Sequence, residues 1–225
     1  MVNKMFNKQI GRNMEVYVDD MLVKSKEELA HLDDLKETFT TLKQYQMKLN
    51  PSKCVFGIAS SKFLGFMVSQ RGIEANPEKV QAIINMALPW TVKEVQKLTS
   101  RIAALSRFVF RAIDKCLPFF KTLKQAFAWT DECKAAFQDL KRYLSNPPLL
   151  SPSKEGENLY LYLVVSTTAV SAALIREEAK KKLLVYYVSQ AFQGAESNYP
   201  RIKKIAFALI VASRKLRQYF RLTLS

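Results

Sequence analysis

One histidine and three cysteines are all that this 225-residue chain offers to soft-metal or thiol chemistry. Cys54, Cys116 and Cys133 are far apart and form no Cys-x-x-Cys pair. That spacing excludes a zinc ribbon and a disulfide framework, and fits buried thiols in a reducing intracellular compartment, cytoplasmic or nuclear. His31 lies in a polar helical stretch, so histidine-based catalysis is not expected. Long apolar runs are also missing. The longest, Ile205 to Ala212, falls far short of the roughly 20 residues a membrane span needs. The opening Met-Val-Asn-Lys-Met-Phe contains no secretory hydrophobic region. Acids are outnumbered, 20 against 35 Lys and Arg, which leaves a net charge of +15 and a pI near 9.7. A surplus of that size, spread along the chain, points to a polyanionic partner, most simply nucleic acid, bound in a salt-dependent way. With 48% apolar residues the chain is globular and long enough for one or two cores.

Within this basic chain one acidic pair stands out. Tyr17-Val18-Asp19-Asp20 is flanked by Val16 on one side and by Met21, Leu22 and Val23 on the other. Short β-branched and aromatic runs read as strands, here joined by a tight turn. Tight hairpin turns favour Asn-Gly or Asp-Gly, so Asp-Asp is a poor choice for folding alone. Neighbouring carboxylates repel unless a cation neutralises them. The pattern suggests hard-oxygen ligands for Mg²⁺, with Asp19 and Asp20 as metal-binding and catalytic candidates. A plain surface turn is the alternative.

Residues 1–13 read as a helix with Met1, Met5 and Phe6 or Ile10 inward, closed by Gly11; its abrupt start suggests sequence upstream. Leu29, Leu32, Leu35, Phe39, Leu42 and Tyr45 recur at helical spacing and predict an amphipathic helix over about 27–46. Asn50-Pro51 breaks the chain before a short strand at 53–56. A strand pair follows at 62–69 and 72–74, with Gly65 marking a bulge or a close approach of another backbone. Helical spacing begins at Asn76-Pro77. Thr91 and Glu94 form a capping box for a helix running to about 110, on which Lys93, Lys97 and Arg101 line one side. Further helices are expected near 117–126 and from Thr130. Residues 146–158, with three prolines and Gly156, read as a linker. Beyond it, strands at 159–166, 169–176 and 183–188 precede a helix from Tyr199 to about Phe220, with Ile202, Ile205, Ala206, Leu209, Ala212 and Leu216 inward. The class is α+β.

Taken in order, these segments resemble the pol polyprotein of gypsy-type long-terminal-repeat retrotransposons, plant elements in particular. Tyr17-Val-Asp-Asp20 is similar to the reverse transcriptase active-site hairpin. Leu49-Asn-Pro-Ser-Lys-Cys-Val-Phe56 and Phe63-Leu-Gly-Phe66 resemble the palm segments that follow it, the second being the primer grip. Gly72-Ile-Glu-Ala-Asn-Pro-Glu-Lys79 and the capped helix resemble the entry to the thumb. Trp129 to Phe137 and Pro147 to Leu150 resemble the segment that leads into an RNase H-like domain.

The resemblance implies the C-terminal palm with its hairpins over residues 1–75, a helical thumb and connection over 76–145, a linker over 146–158, and a partial RNase H-like domain over 159–225. It implies RNA-directed DNA polymerase chemistry: nucleotidyl transfer onto a primer, with Mg²⁺ on Asp19 and Asp20. It further implies primer–template contacts at Tyr17, Phe63, Leu64, Gly65, Lys93, Lys97 and Arg101, with Lys53 and Lys62 as further phosphate candidates. The family's third carboxylate lies on an earlier strand, and its fingers precede this segment. Glu15, on the same hairpin, does not replace that carboxylate. The chain by itself is therefore expected to bind a primer–template without extending it, its possible partner being the upstream part of the enzyme. In the RNase H-like segment, Val164 stands where the family has Asp, and Lys203 or Ile205 where it has Glu. Glu177 and Glu178 are weak substitutes. The other readings are a non-catalytic nucleic-acid-binding remnant of a transposable element, and a pseudogene fragment with no stable product.

Overall fold

The computed structural model describes residues 2–25, 27–124, 129–154 and 156–221. Met1 and the end of the helix expected at 117–126 lie outside them. The chain divides into two compact units, residues 1–68 and 69–225.

The first unit starts with the short helix α1 (Val2–Met5). It stops well before Gly11, which instead takes φ +85 in the turns that follow. In those turns the Gln9 carbonyl accepts from the N–H groups of Arg12, Asn13 and Met14. Strands β1 (Met14–Tyr17) and β2 (Asp20–Val23) form an antiparallel hairpin. Met14 and Phe6 are buried, and Val16, Met21 and Val23 pack with them against Leu42 of helix α2 (Glu28–Gln44).

Helix α2 is rotated from the face its apolar periodicity predicts. Of the expected inward row only Leu42 is buried, while Leu29, Leu32, Phe39 and Tyr45 are exposed. The helix turns its Asp34–Thr38–Leu42 row inward, because polar side chains on the N-terminal turns bind there. Gln9 Nε2 donates to Thr38 Oγ1 at 3.1 Å, Arg12 pairs with Glu37 at 2.6 Å, and Asn13 Nδ2 donates to Asp34 at 2.6 Å. No strand forms at 53–56. Pro51–Lys53 is a 3-10 turn capped by the Asn50 side chain, which accepts from the Ser52 N–H. Strands β3 (Ser60–Phe63) and β4 (Phe66–Ser69) pair as a second hairpin.

The second unit contains β5 (Gly72–Ala75), where Ile73 exchanges both backbone hydrogen bonds with Leu150 at 2.8 and 3.0 Å. A Cβ on Gly72 would lie 2.1 Å from the Leu150 oxygen, so only glycine permits this approach. Helices α3 (Pro77–Ile84), α4 (Val92–Ala104), α5 (Ala112–Lys124) and α6 (Asp131–Leu144) follow. Their buried residues include Ile83, Leu98, Phe119 and Leu140. The capping box forms as read: Glu94 N–H donates to Thr91 Oγ1 and Thr91 N–H to Glu94 Oε2. Helix α4 ends earlier than expected, in a 3-10 turn at Ser106–Phe108, and Pro118 lies inside α5 and not at its start.

Strands β6 (Leu159–Val165), β7 (Ala169–Glu178) and β8 (Lys181–Ala191) make an antiparallel sheet in sequence order. Helix α7 (Arg201–Lys215) covers one face and continues into the short α8 (Arg217–Arg221). Ala208, Val211, Ala212 and Leu216 are buried against Leu161, Leu163, Val170, Ala172, Leu174 and Val188. Ala212 and Leu216 are inward as the sequence indicates, but Ile202, Ile205, Ala206 and Leu209 are exposed. Both sides of this helix are apolar, and the side with Ala208 and Ala212 allows the closer approach to the sheet. On the opposite sheet face, Phe110 lies 5.2 Å from the Tyr187 ring. Two residues of the expected linker are bonded within this unit: Ser151 N–H donates to the Leu184 carbonyl, and Glu157 pairs with buried Arg176 at 2.8 Å.

Candidate functional site

The β1–β2 register pairs Tyr17 with Asp20, which leaves Val18 and Asp19 as the two turn residues. The turn therefore sits one residue earlier than an Asp-Asp turn: Asp19 is at the tip and Asp20 opens β2. Val18 has φ +53, a left-handed conformation that β-branched residues rarely adopt. Strain of this kind costs on the order of 1–3 kcal/mol and persists only when the surroundings enforce it. Strand alternation places Met14, Val16, Met21 and Val23 on the core side, and Glu15, Tyr17, Asp20 and Leu22 on the other. Tyr17, Val18, Asp19 and Asp20 are all exposed. Two hard-oxygen donors thus stand side by side in solvent.

Glu15 shares the face of Asp20, but its carboxylate receives the Lys24 ammonium at 2.6 Å. Among the described residues no three His, Cys, Asp or Glu side chains gather as a metal-binding group. The donors present suit Mg²⁺ in kind, with the remaining coordination positions open to water, phosphate oxygens or a further carboxylate.

What aims the hairpin is a residue the sequence reading passed over. Asn13 precedes β1 and Ser25 follows β2, and both bind one carboxylate, Asp34 of α2. Asn13 Nδ2 donates to Oδ1 at 2.6 Å and Ser25 Oγ to Oδ2 at 2.5 Å. The Ser25 hydroxyl first, then the Asn13 amide, holds the Asp34 pKa below its usual value. The two feet of the hairpin are thereby fixed to one point on the helix. Sequence alone gives little signal for this, since Asp34 sits in an ordinary polar helical run. Ser25 also lies 3.0 Å from His31 Nδ1, so the single histidine is a neighbour of this clamp.

Of the other candidates, Phe63, Leu64 and Gly65 form the tip of the β3–β4 hairpin. Leu64 and Gly65 are its two turn residues, at φ +52 and +76, the pattern of a type I′ turn. Gly65 is thus a turn residue and not a bulge within a strand. Lys93 and Lys97 are exposed on α4, whereas the Arg101 guanidinium donates to the Ala82 carbonyl at 2.6 Å, near the end of α3. Lys53 and Lys62 are exposed.

In the β6–β8 sheet, Val164 lies opposite Ser171, and Lys203 and Ile205 are exposed on α7. Glu178 is engaged by Arg176 and Lys154. The carboxylate at the end of β6 comes from α5: Asp114 accepts from Ser166 Oγ at 2.8 Å and Thr168 Oγ1 at 3.0 Å, and pairs with Arg111. That arrangement fastens α5 to the β6–β7 turn. Burial pushes the Cys116 thiol up to about 12, so it is an inert core group. The described cysteines form no disulfide, and no helix among the described residues is long and apolar enough to cross a membrane.

Comparison with known proteins gives two family matches. Residues 1–68 match the family model for reverse transcriptase (RNA-dependent DNA polymerase), and residues 129–223 match an RNase H-like domain found in reverse transcriptase. A retrovirus-related Pol polyprotein from transposon 412 of Drosophila melanogaster is 31% identical over 81% of this chain. The transposon Tf2-3 polyprotein of Schizosaccharomyces pombe is 25% identical over 99% of it. The chain spans only 15% and 17% of the length of these two relatives. Foamy viral protease-reverse transcriptase in complex with RNA/DNA hybrid superposes with a TM-score of 0.80 at 21% identity, over 96% of this chain and 29% of that one. At that identity the likeness concerns the fold.

Proposed function

We propose, for a chain that carries a reverse transcriptase segment over residues 1–68 and an RNase H-like domain over residues 129–223, that its β1–β2 hairpin is the metal-holding tip of a nucleotidyl-transfer site acting on a primer–template. The observation that carries this reading is the hairpin itself: Asp19 at the tip, Asp20 across from Tyr17 on the outer face, and Val18, which shares the turn with Asp19, held at positive φ. Asp19 and Asp20 would hold Mg²⁺, which when bound supplies charge neutralisation for phosphate oxygens. Tyr17 lies across from Asp20, where it lines the approach to the acids. Phe63, Leu64 and Gly65 position the primer strand, and Lys93, Lys97 and Arg101 contact phosphates. Arg101 does so while also bonded to α3.

Residues 1–75 act as palm, 76–145 as thumb and connection, 146–158 as the join, and 159–225 as an RNase H-like module without nuclease acids. A further carboxylate comes from a segment outside these 225 residues, so this stretch alone binds primer–template without extending it. The ordered sequence blocks support a gypsy-type, plant-like element as its source, and the unpaired thiols support an intracellular location. The second reading is a non-catalytic nucleic-acid-binding remnant, in which the net charge of +15 supplies the binding and Asp19 and Asp20 hold no metal.

Primer extension on poly(rA)/oligo(dT) with Mg²⁺, run beside Asp19→Asn, tests the proposal. The expected result is salt-dependent binding of the primer–template without extension. Extension restored by adding an upstream reverse transcriptase segment, and lost again with Asp19→Asn, would favour the enzymatic reading over the remnant. Extension by the 225 residues alone would overturn the proposed need for an outside carboxylate.

A further inference from the structure

Residues 79–113 carry six basic side chains, Lys79, Lys93, Lys97, Arg101, Arg107 and Arg111, against one acid, Glu94. That acid is used within the fold: its Oε2 accepts from the Trp90 N–H at 2.7 Å and from the Thr91 N–H at 3.1 Å. In the same stretch Trp90 is 66% exposed, more than any other aromatic side chain among the described residues. Tryptophan in water, beside charge of one sign, is the composition of a binding surface more than of a solvated loop.

The loop that presents Trp90 is anchored at both ends. At its start the N–H groups of Asn85 and Met86 donate to the Gln81 and Ile83 carbonyls, and Lys141 Nζ of α6 donates to the Met86 carbonyl at 2.6 Å. At its end Pro89 is buried, and the bond to Glu94 fixes the Trp90 backbone to the first turn of α4. Each of these partners belongs to α3, α4 or α6, so the position of Trp90 is set within the helical segment itself. Helix α4 turns Val95, Leu98 and Ile102 inward. Lys93 and Lys97 therefore lie on its far side, one turn apart and exposed. A second copy of this chain would bring the same positive charge to that side, which opposes self-association there and favours a polyanion.

We propose that Trp90 is a positioning residue for the primer–template: Lys93 and Lys97 meet phosphates of one strand, and the indole lies against the sugars and base edges beside them. The inference rests on the nucleic-acid reading above and adds to it an apolar contact that net charge does not reveal. The lysines supply attraction that salt weakens. The indole supplies burial that salt does not weaken, from a backbone already fixed before binding, so little order is lost on contact. Asp19 and Asp20 take no part in this contact, and its test needs no metal and no catalysis.

The experiment titrates the 225-residue chain with a labelled DNA primer–template in EDTA and follows anisotropy and tryptophan emission together. The chain has two tryptophans. Trp129 is packed between Phe119 and Phe137, so acrylamide quenching in the free chain should report mainly Trp90. Saturating DNA is expected to protect that emission from acrylamide, and Trp90→Phe, which leaves Trp129 alone, is expected to show no such protection. Trp90→Ala is expected to weaken binding by about fivefold or more with the salt slope unchanged, and Trp90→Phe to restore most of the loss. Lys93→Ala/Lys97→Ala is expected to lower the slope by about 1.8, at roughly 0.9 per phosphate contact. Bound DNA that leaves Trp90 as accessible as before overturns this proposal alone, as does affinity within about twofold in Trp90→Ala or a slope unchanged by loss of both lysines. Absence of any DNA binding by the unaltered chain overturns it together with the nucleic-acid reading beneath it. Loss of self-association in Trp90→Ala with DNA affinity unchanged overturns it in favour of a protein interface.

Discussion

Helices α2 and α7 both leave apolar residues in solvent, yet they are attached by opposite means. Helix α7 is held by area: Ala208, Val211, Ala212 and Leu216 are buried on the sheet. Helix α2 is held by direction: apart from Leu42, its inward row meets the hairpin through Asp34, Glu37 and Thr38, each hydrogen-bonded to a residue at or before the start of β1. Burial is non-directional and tolerates small shifts, whereas a carboxylate that binds both feet of a hairpin fixes where its tip points. The first unit thus relies on a directed polar clamp and the second on apolar burial.

The largest expected effect comes from breaking the apolar side of this comparison. Leu216→Ala removes a fully buried side chain and should cost about 2–5 kcal/mol in denaturant unfolding of the second unit. A loss below about 1 kcal/mol would mean that α7 is not held by burial.

Next in size is the polar side. Asp34→Ala leaves the amide of buried Asn13 only its longer bond to Glu37 at 3.4 Å, and should cost about 1–3 kcal/mol. It should also speed hydrogen exchange of the Lys24 N–H, which bonds to the Asn13 carbonyl at the foot of the hairpin. The pH dependence has a definite sign. The folded-state pKa of Asp34 is lowered, so its contribution is complete above the ordinary carboxylate value of about 4. It is lost as pH falls through the lower folded value. Hairpin protection that instead declines as pH rises from 4 to 7 would contradict the clamp.

The smallest effect sharpens the comparison at the tip. Val18→Gly relieves a left-handed valine but adds freedom to the unfolded chain, for a net gain of up to about 1 kcal/mol in thermal melting. A clear loss of stability would argue that Val18 does not sit at positive φ.

How much of this was legible in the sequence follows from the same contrast. The capping box, the three final strands and the acidic hairpin depend on local chemistry, and they appear where Thr91, the alternating Leu159–Val165 run and Tyr17–Asp20 place them. The inward faces of α2 and α7 depend on what lies opposite, and periodicity misplaced both. In α2, hydrogen bonds from Gln9, Arg12 and Asn13 outweigh the leucine stripe. In α7, two apolar faces compete, and the one with small alanines wins. The hairpin turn shifted by one residue because register, not turn propensity, decides which residues close it. Asp34 went unread because its two partners are distant in sequence and carry no motif.

The measurement that tests the central claim most directly is Mn²⁺ binding, with Mn²⁺ as a paramagnetic substitute for Mg²⁺, followed by electron paramagnetic resonance in Asp19→Asn/Asp20→Asn and, separately, Glu15→Gln. The account predicts that the double variant loses most of the bound Mn²⁺ signal, at least about tenfold in affinity, and that Glu15→Gln retains it, because Glu15 is engaged by Lys24. Bound Mn²⁺ that survives loss of both aspartates, or that disappears with Glu15→Gln alone, would contradict it.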